Sequence, residues 1–211
     1  MRTLAIDCAS EACSVALFEG GTLVDGAHRL LGRGHAEHLV PMIAALPERG
    51  RAGRIAVSRG PGSFTGVRIG LAAARALALA WRAELVGYPT LALVAAMARE
   101  QAGSKAVTVA MNGGHGEWFV QDFGADGLPA GELASLKPEE AASAAMAALV
   151  AGTQAEALVG ARGSGTALPL HPDARQFPLL PDALVTADLA PLYGRPPDAR
   201  LPQASQSGAS A

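Results

Sequence analysis

Asp7 is followed three residues later by Ser10, a D-x-x-S pattern at the end of the apolar run TLAID. A carboxylate there can orient a metal-bound water and the hydroxyl can contact a phosphate; the same two residue types also cap ordinary turns. A second candidate is the stretch RGPGSFTGVRIG at 59–70, which sets Ser63, Thr65 and glycine amides at the start of a helical pattern. A helix N-terminus of that kind can take an anion, and a serine or threonine cap accounts for the same residues. The loop is not a P-loop, because Gly66 is followed by Val67 and Arg68 where lysine and a hydroxyl are needed. Gly60, Gly62 and Gly66 give G-x-G-x-x-x-G, one residue too long for a dinucleotide fingerprint. His35 and His38, three apart, can both reach a metal, yet no third ligand follows at recognisable spacing, and a solvated helix start explains them as well. Asn112 and His115 in NGGHGEW read as a turn, and Ser63 in PGSFT lacks the glycine framing of a nucleophile elbow. The expected site is therefore Asp7, Ser10 and Ser63 as phosphate or nucleotide contacts, with no catalytic residue and no metal.

The elements that would carry these residues follow from periodicity. Thr3 to Asp7 and Ser14 to Phe18 read as two strands joined by the turn CASEAC, so a hairpin opens the chain. His35 to Leu46 places Leu39, Met42, Ile43 and Leu46 at helical spacing despite Pro41, which predicts a kinked amphipathic helix. Ile55 to Ser58 reads as a strand, Val67 to Trp81 as a helix, Glu84 to Gly87 as a strand and Thr90 to Arg99 as a helix. Ala106 to Met111 and Glu117 to Phe123 form a second strand, turn, strand unit, a weak internal repeat of architecture with Asn112 near the place of Asp7. A helix over Lys137 to Leu149 and a strand over Ala157 to Gly160 are expected next. The pattern predicts an α/β protein of two lobes split near residue 100, with 1–100 and 101–195 as the lobes and 196–211 a low-complexity tail.

The helix after the glycine loop has an unusual surface. Its charges Arg68, Arg75 and Arg82 recur every seven residues and share a narrow stripe, while Gly66, Gly70, Ala74 and Ala78 form a small-residue ridge. Such a ridge lets a second helix approach closely, so another lobe or another subunit is expected to cover it.

Composition narrows the classes. The chain has 211 residues, half of them hydrophobic and 17% charged, with a formal charge of -2, which fits a compact body and lacks the footprint of a self-sufficient nucleic-acid binder. Cys8 and Cys13 lie too close in sequence to staple a fold, and the N-terminus lacks the layout of a signal peptide, so a cytoplasmic location is expected. The most apolar segment, Leu71 to Trp81, contains Arg75 and falls short of a membrane span.

Together MRTLAIDCASEACSVALFEGG, HAEHLVPMIAAL, RGPGSFTGVRIGLAAARALAL and LVGYPTLALVA resemble the TsaB (YeaZ) family, with GPGSFTGVRIG the most specific segment. They span nearly all of the first hundred residues. Later, VAMNGGHGEWFVQDF is similar to the family's second hairpin, and PLYGR is similar to its closing P-x-Y-x-R, placing Pro191, Tyr193 and Arg195. The resemblance implies an actin, Hsp70 and sugar-kinase fold (ASKHA) of two RNase H-like lobes. It also implies a non-catalytic subunit without a cofactor, pairing with TsaD, which transfers threonylcarbamoyl to the adenosine next to the tRNA anticodon. TsaE would join the complex, tRNA would be met only through it, and a homodimer could form when the chain is alone. The implied partner surface lies on the helices 35–46 and 67–81, at His35, Leu39, Met42, Val67, Arg68, Gly70, Leu71, Ala74, Arg75 and Ala78.

Some residues depart from the family pattern. Cys8 and Ala9 stand where superfamily kinases carry a glycine, the histidines are spaced H-x-x-H where TsaD has H-x-x-x-H, and Asn112 replaces an aspartate. The connection from Leu46 to Ile55 is shorter than usual. A different reading, an ATPase or small-molecule kinase, would use Asp7, Ser10 and the Gly160 to Gly165 turn; a metalloprotease would need metal ligands that the sequence does not space.

Overall fold

The computed structural model describes residues 1–103 and 105–194; the expected tail and Arg195 lie outside the described residues. Strand β1 (Arg2–Asp7) pairs antiparallel with β2 (Ala12–Glu19), Asp7 opposite Ser14. Gly20 and Gly21, at φ 58° and 87°, make the tight turn into β3 (Thr22–Leu30), an antiparallel edge strand. No strand is expected from TLVDGAHRL, which is half polar, as an exposed edge permits. Helix α1 (His35–Ala45) continues past Pro41, and a short 3-10 turn (Pro47–Gly50) makes the abbreviated link to β4 (Arg54–Ser58). Helix α2 (Phe64–Trp81), strand β5 (Glu84–Tyr88) and helix α3 (Thr90–Ala102) follow. β4 pairs parallel with β1, and β5 parallel with β4.

The second half repeats the plan. β6 (Val107–Gly114), β7 (Glu117–Phe123) and β8 (Ala134–Leu136) are antiparallel neighbours; β9 (Leu149–Ala151) and β10 (Thr166–Leu168) add in parallel. The sheet orders β3-β2-β1-β4-β5 and β8-β7-β6-β9-β10 are one topology used twice. The hairpin repeat legible in the sequence is thus part of a five-strand repeat.

Two expectations in this half are corrected. The helix predicted over Lys137 to Leu149 stops early, as α4 (Pro138–Ala144), and Leu149 is already in β9. The chain between them is held out of helix by side chains: Arg162 donates to the carbonyls of Ala145 and Ala147 at 3.3 and 2.8 Å, and the Ala147 amide donates to Thr108 Oγ1. The strand predicted over Ala157 to Gly160 is instead inside helix α5 (Ala155–Arg162), whose buried Ala155 and Leu158 sit three apart and whose end is capped by Gly163 at φ 73°.

Side chains sort by strand alternation into stacked cores. One face of the first sheet (Leu4, Ile6, Val15, Ile55, Val57) packs against α1 and α2. Its other face (Ala5, Phe18, Ala56, Tyr88) meets α3 and, across it, Val107, Val109 and Phe119 of the second sheet. Ala110, Val120 and Val150 on the far side of that sheet pack on α4 and α5 through Ala141, Ala155 and Leu158.

Helix α2 begins at Phe64, capped by Ser63, whose Oγ accepts the Gly66 amide at 3.2 Å, and ends at Arg82, left-handed at φ 55°. At 18 residues it is, by length and composition, apolar enough to cross a membrane, which corrects the shorter segment expected from the sequence. One side of it is nonetheless fixed on the first sheet by Val67, Leu71 and Ala74. The small-residue ridge serves that contact: a Cβ on Gly66 would sit 2.0 Å from the Cys8 carbonyl oxygen, and one on Gly70 would touch Cys8 and Val57. Gly66→Ala is expected to destabilise the fold by about 2 kcal/mol or more in urea unfolding, the clash outweighing the roughly 1 kcal/mol gain in helix propensity. Gly53→Ala, where nothing lies within 4 Å, is the control and should change stability by less than about 0.5 kcal/mol.

Candidate functional site

A cleft of about 910 Å³ opens between the halves. Its walls are the β1–β2 turn (Ala9 to Glu11), the glycine loop with the first turns of α2, the β6–β7 hairpin (Met111 to His115) and the segment Pro191 to Gly194. The turn and the hairpin touch across it, Asn112 Nδ2 donating to Glu11 Oε1 at 3.3 Å. Asn112 Oδ1 accepts the Gly114 amide, and His115 stands at the rim with φ 54° between two left-handed glycines. Ser10 and Ser63 line the cleft, both with oxygens used in local capping: Ser10 Oγ accepts the Ala12 amide at 3.1 Å.

Asp7 is not in the cleft. It is fully buried beneath it, with Oδ1 accepting the Ala9 amide at 2.9 Å. The Tyr88 hydroxyl donates to the Ile6 carbonyl at 2.9 Å and stands 3.4 Å from Asp7 Oδ2, so the carboxyl receives little from it. Burial raises the Asp7 pKa to about 7, with the Ala9 amide and the Ser58 hydroxyl opposing the rise. A fully buried carboxyl beneath the floor has no direct reach to a water in the cleft. Part of the glycine loop's donor set is used internally: the Ser63 amide donates to Ala9 O at 2.7 Å and the Gly66 amide to Ser63 Oγ, and Cβ atoms on Gly62 or Gly66 would meet the Ala9 and Cys8 carbonyl oxygens. The Gly160 to Gly165 turn lines no part of the cleft, so Asp7, Ser10 and that turn are not brought together.

His35 is not a solvated helix start. It is buried, and its Nε2 donates to Ser10 O at 2.9 Å and Ala12 O at 3.3 Å, fastening α1 to the turn that floors the cleft; His38 is exposed.

The partner surface expected on the two helices needs the same correction. His35, Leu39, Met42, Val67, Gly70, Leu71, Ala74 and Ala78 are all buried within the chain, leaving only Arg68 and Arg75 exposed. An almost wholly apolar helix does not announce which side its sheet will take. The outer side carries Ala72, Ala76 and Leu79, the last 84% exposed, beside Ala36, Val40 and Ala44 of α1, with Val40 58% exposed.

The segment after Val185 escaped the sequence reading except as the motif PLYGR. It has no regular secondary structure because side chains hold it. Thr186 bridges Gly87, and Arg59 donates to Asp188 Oδ2 at 2.7 Å and to the carbonyls of Asp188 and Ala190. The Ala190 amide and then Arg59 depress the Asp188 pKa. Arg75 donates to Leu189 O, and Arg68, stacked 3.2 Å over the Phe64 ring, donates to the Tyr193 hydroxyl at 2.8 Å. The arginine stripe therefore ties the end of the described chain along α2.

Comparison with known proteins adds to this geometry. The family model for tRNA N6-adenosine threonylcarbamoyltransferase, TsaD, matches residues 29–156. The tRNA threonylcarbamoyladenosine biosynthesis protein TsaB of Escherichia coli K12 is 40% identical over 148 residues, 66% of this chain and 64% of that protein, so the match spans less than two thirds of that relative. The protein of the same name from Haemophilus influenzae is 34% identical over 117 residues, 53% of this chain and 49% of its own. The structure of YeaZ from Pseudomonas aeruginosa superposes with a TM-score of 0.69 at 31% identity, covering 83% of this chain and 87% of that one. The fold with its doubled five-strand topology is shared with that YeaZ structure.

The buried carboxyl has a measurable signature. Its pKa is about 7 folded and about 4 unfolded, so its contribution to stability is complete below pH 4, declines as pH rises to 7 and is lost above. Stability relative to Asp7→Asn should therefore fall by up to roughly 4 kcal/mol between pH 4 and pH 8 in urea titrations. Parallel pH profiles for the two proteins would mean that Asp7 is ionised in the fold.

Proposed function

The chain belongs to the TsaB (YeaZ) family, and from that membership we propose that it serves tRNA threonylcarbamoyladenosine biosynthesis as a docking subunit, holding a TsaD-type partner on the outer face of α1 and α2. The observation that carries this reading is the exposed apolar residues that both helices keep outside the core, Val40 on one and Ala72, Ala76 and Leu79 on the other. Apolar side chains left exposed on helices, here with Arg68 and Arg75 on α2 and Arg82 at its end, suit a protein contact. The small alanines let a partner helix come close, and Leu79 supplies an anchor. Threonylcarbamoyl transfer itself belongs, on this reading, to the TsaD partner. A TsaE-type ATPase and tRNA would join the assembled complex, and the same face could pair two copies of this chain. Asp7, buried and apart from the Gly160 to Gly165 turn, gives the kinase reading no assembled site.

The test is co-expression with the cognate TsaD. Ala76→Glu and Leu79→Arg, both on the solvent side of α2, should weaken the complex about 30-fold or more and abolish the tRNA modification, with melting temperature unchanged. A charge at Ala74, which is fully buried, would report on folding instead. Full complex formation by both outer-face variants would sink the assignment.

A further inference from the structure

The two cysteines, remote from any disulfide framework in the sequence, meet in the fold. The last paired residues of the opening hairpin are Asp7 and Ser14, and one step beyond them Cys8 and Cys13 face each other with their sulfurs 3.6 Å apart. Facing residues of an antiparallel pair have Cα separations of about 4.5–5.5 Å, inside the range a disulfide spans. Both thiols are free, and Ala9 and Ser10, next to Cys8, line the cleft. The sulfurs themselves are buried, Cys8 2% and Cys13 0% exposed, so an oxidant reaches the pair when the turn beside the cleft opens locally.

The turn that the pair flanks is also the mount for both helices. His35 at the start of α1 bonds to Ser10 O and Ala12 O, and the first turn of α2 rests through Gly66 on Cys8 O. Gly70 of α2 lies against Cys8 as well, a Cβ there meeting Cys8 Cβ at 3.6 Å.

We propose that Cys8 and Cys13 are an oxidisable dithiol, closing under hydrogen peroxide to a cross-strand disulfide that shifts the seating of α1 and α2. The two thiols share one hydrogen bond, which leaves one sulfur as donor and the other as nucleophile, and Arg29, paired with Cys13 across the strands, favours Cys13 in the second role while burial opposes ionisation of both. The Cys13 thiolate attacks one peroxide oxygen; an S–O bond forms, the O–O bond breaks and hydroxide leaves, to be protonated to water. Cys8 sulfur then attacks Cys13 sulfur, forming S–S and breaking S–O, and the departing hydroxide takes the Cys8 proton. Two thiols lose two electrons and two protons, and the peroxide becomes two waters.

The experiment treats the folded full-length chain with hydrogen peroxide, alkylates what remains and maps peptides without reduction, in parallel with a sample in urea. Expected are a mass about 2 Da lower, a Cys8–Cys13 linked peptide and no alkylated cysteine in the native sample. A linkage formed only in urea, or sulfinic and sulfonic adducts in its place, would overturn the dithiol. Amide exchange at 35–38 and 63–67 should change about fivefold or more on oxidation and stay constant in the treated Cys8→Ser/Cys13→Ser double variant. A disulfide that leaves those amides unchanged would overturn the effect on the helices.

Discussion

One backbone-to-backbone contact organises the functional half of this molecule. The carbonyls of Cys8 and Ala9 point into the glycine loop, where Ser63 donates its amide to Ala9 O at 2.7 Å and the missing side chains of Gly62 and Gly66 leave the necessary space. Because a side chain at either position would drive into a carbonyl, the path of α2 relative to the first sheet has little freedom. His35 brings α1 to the same turn from the other side. Two helices and the floor of a cleft thus share one mount of five residues, Cys8 to Ala12.

That contact also draws on amides at the start of a helix. A helix N-terminus attracts negative charge through its unpaired amides. In this chain a serine side chain and a peptide carbonyl already take the amides of Gly66 and Ser63. The carboxylate at the end of β1 is sunk below the surface, where desolvation favours its protonated form. Asp7 and the amides of Ser63 and Gly66 thus serve contacts within the first half, below and beside the cleft.

Much of the architecture was legible because period and punctuation agreed. The opening hairpin, α2, α3 and the second hairpin follow from alternation, helical spacing and glycine turns, and their observed bounds differ from expectation by a few residues. The inside and outside of α2 were not legible. Where alanine and leucine surround the helix, no amphipathic signal says which stripe meets the sheet, and the ridge of small residues was the core side. In the second half, three-residue strands such as Leu149–Ala151 are too short for alternation to show, and alanine-rich flanks suit helix as well as strand. The segment near Asp188 owes its course to single side-chain contacts, which leave no periodic trace. The cysteine pair was visible as two residues but not as neighbours, since facing depends on the register of the hairpin.

The tether between Arg59 and Asp188 joins residues 129 positions apart. A ribosome adding about 5–20 residues each second delivers α2 on the order of ten seconds before the segment that lies along it. Throughout that interval Arg59, Arg68 and Arg75 lack the carbonyls, carboxylate and phenol that later hold them. The outer surface of α2 is therefore among the last parts of the molecule to acquire its finished form, and a nascent chain presents that helix without the strap that marks a completed one.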